Sequence, residues 1–191
     1  MTTHRSRSVA LVLAVLTAVA AVLVGATPAG AADRCSVSWG SLPKVHDTRA
    51  DSETLNGVRA GRHACFDRLV FDVGGQDATF GSYDVRYVRT VVTEGSGAVV
   101  PLRGGAALQV VVKAPAYGEH GPTFQPRNPR EVVPVGGYTT FRQVAWAGSF
   151  EGQTTLGLGV RARLPFRVFT LDGTPNTDHT PRLVIDVAHR W

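Results

Sequence analysis

The sequence predicts an all-β protein, arranged as a β-sandwich or an open barrel, and two observations lead to this prediction. The segment Arg-Leu-Val-Phe-Asp-Val at 68–73 recurs as Arg-Leu-Val-Ile-Asp-Val at 182–187. Both copies alternate apolar and polar residues, which is typical of a half-buried strand. Short strand patterns and turn residues also follow one another along the chain, and no window has the spacing of an amphipathic helix. The repeat indicates an architecture of two related halves, but it indicates no reaction.

The first element is a predicted secretory signal peptide over residues 1–31. Arg5 and Arg7 precede an apolar run at 9–24, and Ala29-Gly30-Ala31 is a small-x-small cleavage pattern. The alternative is an uncleaved membrane anchor, although the apolar run is short for a membrane span. We therefore expect a secreted protein with no stable membrane span after cleavage.

Residues 32–62 are polar and rich in mixed charge, so we expect an irregular N-terminal segment there, followed by a β domain over 63–191. Cys35 and Cys65 are the two cysteines. Export to an oxidising compartment predicts that they form a disulfide, which would stabilise the fold by roughly 3–4 kcal/mol. Two free thiols or an intermolecular link are the alternatives.

Strands are predicted at 66–73, 83–92, 108–113, 141–148, 154–164, 166–171 and 182–188, with turn signals between them. The exception is the segment 115–137, which holds five of the eleven prolines and reads as a proline-rich loop inserted in the sandwich. Its aromatic and basic side chains form the predicted ligand-binding set: Tyr117, His120, Phe124, Arg127 and Arg130. Aromatic faces stack on sugars and arginines bind carboxylates. The alternative is that Tyr117 and Phe124 fold back as a lid over the sandwich edge.

The charged residues of the repeat are interpreted as structural. If the two strands pair antiparallel with Val70 opposite Val184, then Arg68 faces Asp186 and Arg182 faces Asp72. Two symmetric cross-strand ion pairs would follow, each worth a few tenths of a kcal/mol. If the strands lie in separate sheets, each charged residue contacts other neighbours. A catalytic pair of aspartates is the alternative, but no cleft is indicated around it.

Several function classes are disfavoured by composition and motifs. The formal net charge is +5 and the arginines are scattered, which does not indicate nucleic-acid binding. The histidines are dispersed, with neither H-E-x-x-H nor G-x-S-x-G in the sequence. We therefore expect no enzyme activity, no metal and no cofactor.

The run 166–171, followed by Thr-Pro-Arg-Leu-Val-Ile-Asp-Val at 180–187, resembles the closing strands of the AMIN domain, and 67–73 looks like its opening strand. The sequence is closer still to the AMIN-like domains of secreted actinobacterial proteins, from about Arg62 to Trp191. The resemblance implies a β-sandwich of two similar sheets. It also implies an envelope-targeting module that binds peptidoglycan, as AMIN domains do in cell-wall amidases and secretins.

The function predicted from the sequence is a secreted, non-catalytic binding module of the cell envelope. Its partner would be peptidoglycan or another cell-wall polymer, bound through exposed aromatics and arginines with an affinity that falls as salt rises. The alternative is a protein-interaction module that docks an envelope protein through an edge strand or through the 115–137 loop.

Overall fold

The computed structural model describes residues 35–48, 53–75, 79–174 and 177–191, and within them it confirms the all-β prediction. The described residues form thirteen strands and no helix. The strands are β1 Lys44–His46, β2 Thr54–Arg62, β3 Phe66–Gly74, β4 Tyr83–Val88, β5 Val91–Val92, β6 Val99–Val100, β7 Ala106–Val112, β8 Tyr117–Gly118, β9 Gly121–Pro122, β10 Phe141–Phe150, β11 Gln153–Val160, β12 Phe166–Leu171 and β13 Arg182–Ala188.

Two antiparallel sheets carry the fold. The five-stranded sheet has the order β1-β4-β7-β11-β10, and the four-stranded sheet has the order β12-β13-β3-β2. Two small hairpins, β5-β6 and β8-β9, lie outside them. A single apolar cluster joins Leu69, Phe71 and Ile185 of the four-stranded sheet to Leu108 and Leu156 of the five-stranded sheet. Because both sheets contribute their apolar faces to one core, the architecture is a sandwich.

The two copies of the repeat lie side by side in the four-stranded sheet. β13 pairs antiparallel with β3, and Val184 lies opposite Val70, which is the first of the two arrangements that the sequence leaves open. Their alternating apolar residues, at 69, 71 and 73 and at 183, 185 and 187, are fully buried. The related strands are therefore neighbours in one sheet, not counterparts in two sheets.

Of the two predicted cross-strand ion pairs, only Arg68–Asp186 is present. Asp186 accepts from Arg68 Nε at 2.6 Å and from Arg167 Nε of β12 at 2.8 Å. Asp72 instead binds Arg59 of β2, with Nε and Nη2 at 3.0 and 2.9 Å, so the expected Arg182–Asp72 pair is wrong. The symmetry fails because β3 has a second neighbour: β2 brings its own arginine to Asp72, just as β12 brings one to Asp186.

Residues 54–62 form strand β2, although the sequence predicts an irregular segment there. β2 pairs with β3 from Thr54 to Arg62, with a bulge between Leu55 and Gly57. Its residues Asn56, Gly57 and Gly61 have low strand propensity, and the ladder to β3 overrides that preference. The predicted strands at 83–92 and 154–164 are also too long, since β4 ends at Val88 and β11 ends at Val160.

The proline-rich segment 115–137 covers one edge of the five-stranded sheet. Trp146 of β10 donates its backbone N–H to Pro129 O at 2.7 Å, and Val132 donates to Val144 O at 2.8 Å. Val133 and Val135 are buried in the core. This part of the segment therefore satisfies outer hydrogen-bonding groups of an edge strand.

The Cys35–Cys65 disulfide is confirmed, and it ties residue 35 to the start of β3. The predicted signal peptide, residues 1–31, lies outside the described residues. The described ranges contain no helix that is long and apolar enough to cross a membrane.

Candidate functional site

Two glycines of β11 shape the outer surface of the five-stranded sheet. A Cβ built on Gly157 would lie 2.8 Å from Leu102 Cδ1, and one built on Gly159 would overlap the carbonyl of Arg103. The missing side chains therefore let the segment 101–105 cross directly over the sheet. The segment 101–105 forms one wall of a pocket.

The pocket has a volume of about 490 Å³ and lies between the segment 99–103, Pro129–Arg130 and β10. We call it the arginine–tryptophan pocket. The residues that the argument uses are Leu102, Arg103, Arg130, Gln143 and Trp146. Its volume falls within the usual range of small-molecule sites, which is roughly 300–1,000 Å³.

Gln143 holds the two arginine-bearing segments in place. Its Oε1 accepts the backbone N–H of Arg103 at 2.8 Å, and its Nε2 donates to the backbone carbonyl of Arg130 at 2.9 Å. The Gln143 side chain is buried, so both hydrogen bonds are partly shielded from water. One amide thus fixes both walls of the pocket relative to β10.

The charge at the pocket is positive. Arg103 pairs with Glu131 at 2.5 Å and donates to Arg142 O at 2.8 Å. Arg142 donates to backbone carbonyls of residues 138, 139 and 141. The exposed guanidinium of Arg130 makes no hydrogen bond or ion pair within the part of the chain that the structure describes. Arg130 is therefore available to an anionic ligand.

Trp146 also lines the pocket, but its indole lies on the core face of β10, because Trp146 is opposite the core residue Leu156 of β11. The half-buried indole lies 5.8 Å from the ring of Phe124, with the planes tilted by 52°. Phe124 packs against the core. The core thus fixes Phe124 and Trp146, and the backbone of Trp146 is hydrogen-bonded to Pro129 at the pocket.

The structure divides the five predicted ligand-binding residues. Arg130 lines the arginine–tryptophan pocket, and Phe124 supports it from behind. Tyr117 lies in a separate hollow, where its hydroxyl accepts the backbone N–H of Gly152 at 3.3 Å. His120 lies in the exposed turn of the β8–β9 hairpin, and Arg127 is exposed but does not line the pocket.

Four of these five pocket residues are not predicted from the sequence: Leu102, Arg103, Gln143 and Trp146. Two signals point to them in retrospect. Gln143 is a polar residue within a run that reads as a buried strand, and the glycines of Leu-Gly-Leu-Gly-Val at 156–160 indicate a close backbone approach.

A second polar cluster, centred on Asp67, is structural. The buried carboxylate accepts the backbone N–H groups of Thr140 at 2.5 Å and Phe141 at 3.1 Å, and it lies 3.1 Å from His189 Nε2. These contacts link β3 to the start of β10 across the two sheets. Among the residues that the structure describes, no group of three or more His, Cys, Asp or Glu side chains is placed to hold a metal ion.

Comparison with known families matches residues 53–189 to the AMIN-like domain. The chain belongs to the AMIN-like domain family. The match begins just before β2 and ends just after β13, so it includes every strand except β1 and also includes the pocket. AMIN-like domains are generally non-catalytic, and membership indicates a binding module related to the cell wall. No curated protein and no solved structure matches the chain.

Proposed function

We propose that this AMIN-like protein is a secreted, non-catalytic module that binds peptidoglycan through the arginine–tryptophan pocket. The observation that carries the proposal is the uncommitted guanidinium of Arg130 in a pocket that is also lined by the apolar residues Val99 and Leu102. Family membership supports a wall-related ligand. The disulfide and the predicted signal peptide support a place outside the cytoplasm.

The lining of the pocket suits the two chemistries of a peptidoglycan unit. A guanidinium pairs with a carboxylate through two parallel hydrogen bonds, and carboxylates occur on the muramyl and peptide parts of the polymer. Apolar side chains pack against the apolar face of a sugar ring. Arg130 would therefore select for the anionic group, and Val99 and Leu102 would contribute most of the apolar contact area.

The pocket is largely preformed, which lowers the entropy cost of binding. Gln143 fixes both arginine-bearing segments, and Pro129 precedes Arg130 in a segment hydrogen-bonded to β10. Phe124 supports Trp146. A ligand would thus need to order little more than the Arg130 side chain, which favours measurable affinity from a small site.

Co-sedimentation with purified peptidoglycan at low and at high ionic strength tests the proposal. We expect the protein to pellet with the polymer at low salt and to be largely released at high salt, because a surface arginine pair is screened. A protein that stays in the supernatant at low salt contradicts the proposal. Pelleting that is unchanged by salt contradicts the role given to Arg130.

A further inference from the structure

The four sheet edges of the sandwich differ in how they are protected. β10 is covered by the hydrogen bonds of Pro129 and Val132. β1 has only three residues. β2 carries a bulge and two edge arginines, Arg59 and Arg62. Bulges, short length, charge and covering loops are the devices that keep sheet edges from pairing.

β12 is less protected along most of its length. Its residues 166–171 contain no glycine, proline or bulge, and its one charged side chain, Arg167, is turned toward Asp186. Contacts among the described residues cover only its first residue, since Phe166 donates its backbone N–H to Gly40 O at 2.8 Å. Leu171 at the other end is 37% exposed.

The register shows which backbone groups of β12 have no partner strand. Ala188 donates its backbone N–H to Pro165 O at 2.9 Å, so residues 165 and 188 form a hydrogen-bonded pair of the antiparallel ladder. Such pairs occur at every second residue, so residues 167, 169 and 171 direct their N–H and C=O groups toward β13. Val168 and Thr170 direct theirs away from the sheet. Within the described part of the chain, no backbone hydrogen bond reaches these outward groups.

We infer that β12 pairs antiparallel with β12 of a second copy of this chain. With Val168 opposite Thr170 of the second copy, four backbone hydrogen bonds form and Phe169 lies opposite itself. A register in which Val168 lies opposite itself would instead need the backbone N–H of Phe166 as a donor to the second copy, but that N–H is already bonded to Gly40 O. The two four-stranded sheets would then become one continuous eight-stranded sheet.

The side chains on the outer face are complementary to themselves in this register. Arg167 lies opposite Leu171 of the second copy, whose exposed apolar side chain can pack on the arginine stem. The two Arg167 residues are about 13 Å apart, at about 3.4 Å per residue along the strand. That separation exceeds the Debye length of about 8 Å at physiological salt, so their repulsion is screened. The inference does not depend on the proposed wall-binding function.

Cysteine crosslinking of the purified protein tests this register. In Phe169→Cys the two new cysteines face each other with Cα atoms about 4.5–5.5 Å apart, which is compatible with a disulfide. Leu171→Cys is the matched control, because its two cysteines are about 13 Å apart although the site is exposed. We expect a covalent dimer on a non-reducing gel for Phe169→Cys and monomer for Leu171→Cys. Equal crosslinking of both variants, or none, overturns the inference.

A second pair of variants separates strand pairing from chance collision. Thr170→Pro in the Phe169→Cys background removes one outward N–H without touching the ladder to β13. Thr170→Val keeps that N–H. We expect the proline variant to lose the crosslinked dimer and the valine variant to retain it, with circular dichroism showing that both are folded. A proline variant that is folded and still crosslinks contradicts pairing through the edge of β12.

Discussion

Asp72 and Asp186 occupy the same position in the two copies of the repeat, yet we expect very different costs when each is replaced by alanine. The Asp186 carboxylate is fully buried and accepts three charge-assisted hydrogen bonds, from Arg68 Nε and Nη2 and from Arg167 Nε. The hydrogen bonds to Asp186 raise the pKa of Arg68 above its usual value against the opposing effect of burial. Asp72 is 28% exposed and its partner Arg59 is 54% exposed.

The magnitude follows from burial. Removing one partner of a buried ion pair costs about 3–5 kcal/mol, and the lower end applies here because Arg68 and Arg167 reach water. We therefore expect Asp186→Ala to lower the free energy of unfolding by about 3 kcal/mol. An exposed pair such as Arg59–Asp72 is worth at most about 1 kcal/mol, so Asp72→Ala should stay within that limit.

Urea unfolding at neutral pH with the disulfide intact measures both losses. With a slope of about 2 kcal/mol per molar, Asp186→Ala should lower the midpoint by about 1.5 M and Asp72→Ala by no more than about 0.5 M. Asp186→Asn keeps the shape of the side chain and should fall between them. Equal midpoints for the two alanine variants would refute the assignment of Asp186 as the buried centre of the sheet.

Three further predictions concern stability. Asp67→Ala should lower the free energy of unfolding in urea by about 3 kcal/mol, because it leaves the buried backbone N–H groups of residues 140–141 without an acceptor. A loss under about 1 kcal/mol contradicts this. Burial raises the pKa of Tyr87, so the folded state retains the phenolic proton longer than the unfolded state. Stability should be complete below the unfolded pKa of about 10 and fall at higher pH, and Tyr87→Phe should reduce that alkaline loss in a pH series of thermal melts. Gly159→Ala should lower the melting temperature and weaken wall binding, because the new Cβ overlaps Arg103 O and displaces the pocket wall; unchanged binding contradicts the described wall.

The strands of the repeat could be predicted from the sequence because every second side chain faces the core. Leu69 and Phe71 in β3, with Leu183 and Ile185 in β13, make that alternation regular. The charges at the intervening positions are consistent with the register of β13 on β3, but they leave an arrangement in separate sheets open. The partner of Asp72 cannot be predicted, because the glycines and mixed charges of β2 do not indicate a strand that would bring Arg59 beside it.

The pocket could not be predicted because its parts come from three separate segments. Arg103, Arg130 and Trp146 are brought together by a chain crossing that depends on Gly157 and Gly159. In the sequence these glycines read only as weak strand residues. Tyr117 and Arg130 lie in the same 115–137 segment of the sequence, but the β8–β9 hairpin directs Tyr117 to a different hollow.

Arg127 and Arg130 offer the most direct test of wall binding through the pocket, since both are exposed arginines of the same segment and only Arg130 lines the pocket. The measurement is calorimetric titration of Arg127→Gln and Arg130→Gln with soluble peptidoglycan fragments at low salt. Loss of a charge-assisted pair should weaken binding by about tenfold or more for Arg130→Gln, while Arg127→Gln binds like the unmodified protein. Equal affinities of the two variants, whether both weakened or both unchanged, would contradict binding through the arginine–tryptophan pocket.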